Sequence, residues 1–171
     1  RAAQRRTLEL VKNDLARASA VTSTPELEQH ACGLSGRVPV LHLSTAAGPI
    51  TYSVGRAPSS IWRGRVLMRC GPAFGLDGGL SLGSNVLNRV VIDGLANQQG
   101  EWQACSAQAG TDLAGSASQG FSVCLQPEMG LARLRLMQQL GDPARDRPQR
   151  VEIEMTVPLL YKAAAKIRGT S

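Results

Sequence analysis

The stretch RRTLELVKNDLARASAV, Arg5 to Val21, decides how the rest of the chain is read. At 100° per residue, Leu8, Val11, Leu15 and Ala18 fall on one side of a helix, and Ala3, Leu10 and Val21 widen it. Arg1, Arg5, Glu9, Lys12, Asn13 and Ser19 take the opposite arc. Arg5–Glu9 and Asp14–Arg17 stand at the spacing of surface pairs, worth about 0.2–0.5 kcal/mol each. An apolar arc this wide suits a helix laid on a sheet better than a narrow coiled-coil seam. The hydroxyl and β-branched residues of VTSTP, ending in Pro25, stop the helix. No Ser, Thr, Asp or Asn precedes it as a cap. Residues 1–22 are therefore read as the lower half of a longer rod, with a ragged surface helix as the alternative.

Outward from this helix, 171 residues are enough for a single domain with a real core, residues 1–171. Eighteen glycines and only 4% aromatic residues favour many turns between modest strands. No apolar run approaches the ~18 residues of a membrane span, and no signal peptide is visible. The net charge of +6 raises the prospect of an anionic partner. The arginines are nevertheless scattered, with small clusters at the N-terminus, in WRGRVLMRC and in PARDRPQR, and a solvated surface is the plainer reading. If nucleic acid is contacted, Arg63, Arg65 and Arg69 are the candidates.

Cys32, Cys70, Cys105 and Cys124 show no CxxC spacing, and only two histidines accompany them, so a zinc site is not indicated. An even number of widely spaced cysteines favours disulfides and an oxidising compartment. Of three pairings, Cys32–Cys70 with Cys105–Cys124 is favoured, because the second closes a Gly/Ser-rich loop between two strand-like segments. Each such bridge stabilises by roughly 3–4 kcal/mol in the chain-entropy picture. Four buried thiols are the alternative.

After the polar link ELEQHACGLSGR, the sheet region spans residues 37–160. VPVLHLS and GPITYSVG read as a hairpin across TAAGP. SSIWRGRVLMRCG reads as a strand that Gly64 bulges or breaks. PAFGLDGGLSLGSN is a Gly-rich loop. VLNRVVIDGLAN is a strand, or a short helical turn followed by a strand, and EWQACSA and GFSVCLQ are two short strand candidates bracketing the second Gly-rich loop. LARLRLMQQL is ambiguous between helix and strand; context favours a strand, paired with RVEIEMTVPLL, where Val151, Ile153, Met155 and Val157 alternate with Glu152, Glu154 and Thr156. Residues 161–171 form a basic tail. One helix followed by antiparallel strands predicts an α+β domain, the helix packed on the sheet through Leu8, Val11, Leu15 and Ala18.

Catalytic signatures are missing: GxSxG, HExxH, a P-loop and GxGxxG do not occur. His42 reads as a satisfied strand histidine. GLDGG around Asp77 offers too few oxygens for calcium, which takes about 6–8, and reads as a turn. Trp62 and Trp102 could stack a sugar or a base, although packing is the commoner use of a lone tryptophan. The expectation is a non-enzymatic protein with no cofactor and no metal.

LVKNDLARASAV resembles the helix ending of type IV pilin-like proteins, specifically the J-type minor pseudopilins and PilW-like minor pilins. GPITYSVGRAPSSIWRG is similar to their hairpin pattern through Ile50, Tyr52 and Arg63. VLNRVVIDGL resembles their central segment, and LARLRLMQQL with RVEIEMTVPL their closing hairpin. The resemblance implies a pilin-like fold and a subunit of a type IV pilus or type II secretion filament, acting in a priming complex at its tip. It implies partners among major and minor pilin or pseudopilin subunits. It further implies a preceding apolar helix half, cut and methylated by prepilin peptidase, that holds the protein in the inner membrane. The domain would face the periplasm before assembly and the cell surface afterwards. A secreted or pilus-associated module binding DNA or carbohydrate through its basic loops is the alternative function.

Overall fold

The computed structural model describes residues 1–23, 32–82, 86–97, 102–114, 120–141 and 147–160. The expected tail 161–171, His30, and the stop at Pro25 lie outside these residues. Helix α1 spans Ala2–Arg17. Nine strands follow: β1 (Ala18–Thr22), β2 (Arg37–Thr45), β3 (Gly48–Arg56), β4 (Arg65–Pro72), β5 (Val86–Leu95), β6 (Thr111–Asp112), β7 (Phe121–Gln126), β8 (Leu131–Leu140) and β9 (Gln149–Pro158). A short helix α2, Gln103–Ala107, sits between β5 and β6. No described helix is long and apolar enough to cross a membrane.

The strands form one antiparallel sheet in the order β1-β2-β3-β4-β5-β8-β7-β6, with β9 on the far edge of β8. β9 runs along β8 from Leu140↔Gln149 to Leu131↔Pro158. The other edge of β8 is shared: β7 occupies it from Leu131 to Leu136, and β5 meets it at Leu95↔Gln138. Register shifts within β1–β2, β2–β3 and β4–β5 add to the right-handed twist. The sheet consequently curls into a half-barrel.

This corrects the α+β, pilin-like expectation of an N-terminal helix on a sheet. The described chain is 53% strand and 18% helix, a mostly antiparallel β architecture in which one curled sheet is the organising body. The helical periodicity of Arg5–Val21 also overran its element. Ala18 turns extended (φ −75°, ψ 138°), and Ala18–Thr22 becomes an edge strand with Val21 opposite Leu43. Pairing with β2 satisfies this β-branched and hydroxyl-bearing segment better than another helical turn. EWQACSA is corrected as well. Its Gln103–Ala107 is helical, which puts Trp102 and Cys105, three residues apart, on the same side facing β7.

Pleat alternation assigns the two sheet faces. Leu41, Leu43, Ile50, Tyr52, Val54 and Leu67 share the concave face with Phe121, Val123, Leu134 and Leu136. Leu8, Val11, Leu15 and Ala18 are buried in that same cluster. The expected hairpins Val38–Ser44 with Gly48–Gly55 and Leu131–Leu140 with Arg150–Leu160 coincide with β2–β3 and β8–β9.

Candidate interaction surface

A buried ion pair fixes α1 in the curl. Asp14 is fully buried, and Arg69 of β4 donates to it twice, Nε to Oδ2 at 2.6 Å and Nη2 to Oδ1 at 3.1 Å. The Tyr52 hydroxyl donates to Oδ2 at 2.6 Å. Arg69 Nη1 donates to Pro72 O at 3.0 Å, and its guanidinium lies over the Phe74 ring, 4.9 Å from the centroid. Burial, together with the charge and hydrogen bond of Asp14, pushes the Tyr52 hydroxyl well above its ordinary value of 10.0. For Arg69, burial pulls downward, but the hydrogen bonds and charge of Asp14 outweigh it and the net shift is upward. The Asp14–Arg17 surface pair expected from spacing is thus replaced: Asp14 faces inward to Arg69, and Arg17 donates to Gly78 O at 2.9 Å.

Nearer its start, α1 is held by amides. Gln4 Nε2 donates to Gln138 Oε1 at 2.6 Å, and Gln138 Nε2 donates to Asp93 O at 2.7 Å. A buried Gln4 was invisible to hydropathy, since glutamine reads as surface.

Between the exposed flank of α1 and β5 opens a cleft of about 540 Å³. Leu10, Phe74, Leu87, Val90 and Val91 give it apolar walls, and Arg6, Arg69 and Arg89 line it as well. The hairpin turn beyond β4 continues the apolar surface. Phe74 bridges Leu80, and Gly79 N–H donates to Asp77 Oδ1 at 3.0 Å, so Asp77 closes a turn as its sequence context indicated. Leu76 and Leu82 are fully or largely exposed on this turn, and Phe74 and Val86 are partly so. Four of the eight large exposed apolar side chains among the described residues therefore lie on or beside this turn, and Phe74 among them lines the cleft.

The remaining predicted residues separate. Arg69 is buried against Asp14 and lines the Leu10 cleft. Arg63 is exposed and Arg65 half-buried at the opposite end of β4. Cys32 pairs with Cys70 and Cys105 with Cys124, at Cα separations of 6.3 and 5.8 Å. Trp102 is buried with the second bridge, under Arg135 and Arg133 at 4.7 and 5.5 Å, so it packs rather than binds. Trp62 is half-exposed. His42 is buried in β2, with Nδ1 2.6 Å from Thr51 Oγ1. Among the described residues no three His, Cys, Asp or Glu side chains are placed to hold a metal ion. The Leu10 cleft was missed as a site because its walls come from three segments far apart in sequence, although Leu10 lay at the margin of the predicted apolar arc.

Comparison with protein families, with curated proteins and with solved structures finds no match.

Proposed function

We propose that the chain is a non-enzymatic assembly subunit, in keeping with its resemblance to minor pilins and pseudopilins, and that it docks a helix of a neighbouring subunit in the cleft beside α1. The observation that carries this reading is the apolar wall of the cleft, Leu10, Phe74, Leu87 and Val91, beside a helix pinned by a buried ion pair. The Asp14–Arg69 fork holds α1 to the sheet, so the cleft is preorganised and loses little entropy on docking. A neighbouring helix bearing an apolar stripe with acidic residues at its margin would cover Leu10, Phe74 and Leu87 and meet Arg6 and Arg89. The implied preceding helix half would hold the subunit in the inner membrane until assembly, in a pilus or a type II secretion filament.

The test is a Leu10→Asp chain returned to the native host in place of its own copy. Leu10 is half-buried, in contrast to the fully buried Leu8, so the variant should melt within a few degrees of wild type. Filaments, or secretion where that is the output, should be lost. Normal assembly by a folded Leu10→Asp chain refutes the docking role. Lost assembly with an unfolded chain returns Leu10 to the core, and Phe74→Ser, at a partly exposed position, then decides.

A further inference from the structure

At the end of β2–β4 away from the Asp14 pair, four arginines gather. Arg56 and Arg65 are direct cross-strand neighbours, and Arg37 sits on β2 opposite Gly55. Arg63 precedes β4 by two residues, across a left-handed Gly64 (φ +59°). Like charges placed directly opposite each other on a sheet are unfavourable. Ion pairs among the described residues are Lys12–Glu9, Arg69–Asp14 and Arg133–Glu154, and none of them involves this group. Among the described residues Asp93 is the one carboxylate that lines a cleft with Arg63 and Arg65, and its Oδ2 accepts the Arg63 backbone N–H at 2.9 Å, so one negative charge stands against the four arginines.

Arg37 spends its donors on neutral oxygens: Ser53 Oγ at 2.8 Å, Ser53 O at 3.0 Å, Arg56 O at 2.8 Å and Val66 O at 3.1 Å. Its positive charge is not neutralised by these contacts. Burial, and then the charge of Arg65, lower the Arg37 guanidinium from its ordinary value. Arg65 Nε is buried without a hydrogen-bond partner among the described residues. Beside the cluster lies an open cleft of about 670 Å³, lined by Arg56, Arg65, Ser59, Ser60, Trp62 and Asn97.

We propose that Arg56, Arg63 and Arg65, with Arg37 behind them and Trp62 alongside, bind the sugar–phosphate backbone of a single-stranded nucleic acid. Three guanidiniums with free donors supply the phosphate contacts, and each contact relieves the repulsion between cross-strand neighbours. Trp62 offers an indole that a base can stack on, which a duplex keeps hidden. The polar lining of Ser59, Ser60 and Asn97 suits a sugar–phosphate chain better than acyl chains. The site lies away from the Leu10 cleft and is independent of the assembly reading.

The experiment is fluorescence anisotropy of a labelled oligo-dT 20-mer with the intact chain, over a salt series. Three phosphate contacts to a single strand give a slope of log affinity against log salt of about −2. Arg56→Gln with Arg65→Gln should weaken binding at least tenfold and flatten the slope to about −0.7. Arg5→Gln with Arg6→Gln removes equal charge from α1 and should change neither. Trp62→Ala should cost about fivefold or more while keeping the slope. Melting temperatures verify folding. If the Arg56/Arg65 pair unfolds, Arg56→Gln with Arg63→Gln, both at exposed positions, gives the same reading. The proposal is overturned by absence of binding at 50 mM salt, by equal loss from the α1 pair, or by sedimentation with anionic phospholipid vesicles without oligonucleotide binding.

Discussion

Removing the Asp14 carboxylate leaves the Arg69 guanidinium buried without a counter-charge. Asp14→Ala should therefore cost about 3–5 kcal/mol, read from a urea midpoint at neutral pH. Tyr52→Phe keeps the ion pair and removes one hydrogen bond to a charged oxygen, so about 1.5–3 kcal/mol is expected. The same tyrosine sets an alkaline limit. Its hydroxyl is held above the ordinary value in the folded chain, so the folded state keeps a proton that the unfolded state loses above about pH 10. Stability from this group is complete below that pH and declines above it. Urea midpoints at pH 8 and pH 11 should differ more for wild type than for Tyr52→Phe; equal differences would remove Tyr52 from the account. None of this was legible beforehand. Asp14 stands three residues before Arg17, and that spacing was read as a surface pair, although Asp14 also lies four residues from Leu10 and Ala18 on the apolar side. Its true partner lies 55 residues away and becomes visible only once β4 is beside the helix.

Helices and hairpins were legible to different degrees, for physical reasons. β9 was plain because its residues alternate in burial, which writes alternation into the sequence: Ile153, Met155 and Val157 oppose Leu136, Leu134 and Ala132, while Glu154 reaches Arg133 at 2.9 Å. β8 was ambiguous between helix and strand, because it is buried on both faces over most of its length and carries no such alternation. α2 was read as a strand because its five residues make little more than one helical turn, too short for a repeating pattern. Its conformation is set by the bridge to β7 and by Trp102 beneath the two arginines. Separating Cys105 from Cys124, by reductant or by serine at both, should cost about 3 kcal/mol in a urea titration. Gly110→Ala should act on the same spot, since a Cβ there would run into Cys124 Sγ and approach Cys105 Sγ to 2.9 Å. Overpacking of this kind costs about 1–3 kcal/mol. On α1, Leu8→Ala opens a cavity in the core and should cost about 2–5 kcal/mol, whereas an exposed-arc change such as Arg5→Gln should stay within about 0.5 kcal/mol. Similar losses at both positions would mean that α1 is not seated as described.

For the molecule as a whole, the strands were readable one by one, but their closure was not. Nothing in LARLRLMQQL says that β7 and β5 share one edge of it, yet that sharing joins β1–β5 to the rest of the sheet. β5 and β8 meet at Leu95↔Gln138, helped by Ala96 N–H to Met137 O at 3.0 Å. Gly120, left-handed at φ +83°, allows the close approach there: a Cβ would lie 2.8 Å from both Leu95 Cβ and Met137 O. Gly120→Ala should therefore loosen the join of β1–β5 to β6–β9 ahead of either half. Amide exchange would accelerate first at Ala96 and Met137, and uniform acceleration throughout would contradict this. Neither disulfide crosses that join: Cys32–Cys70 staples one side and Cys105–Cys124 the other. The protein thus resembles two riveted plates meeting along an unriveted line, with α1 as the strut across them. Under a mechanical load it would yield there first, and parting would uncover the one apolar core that both plates share.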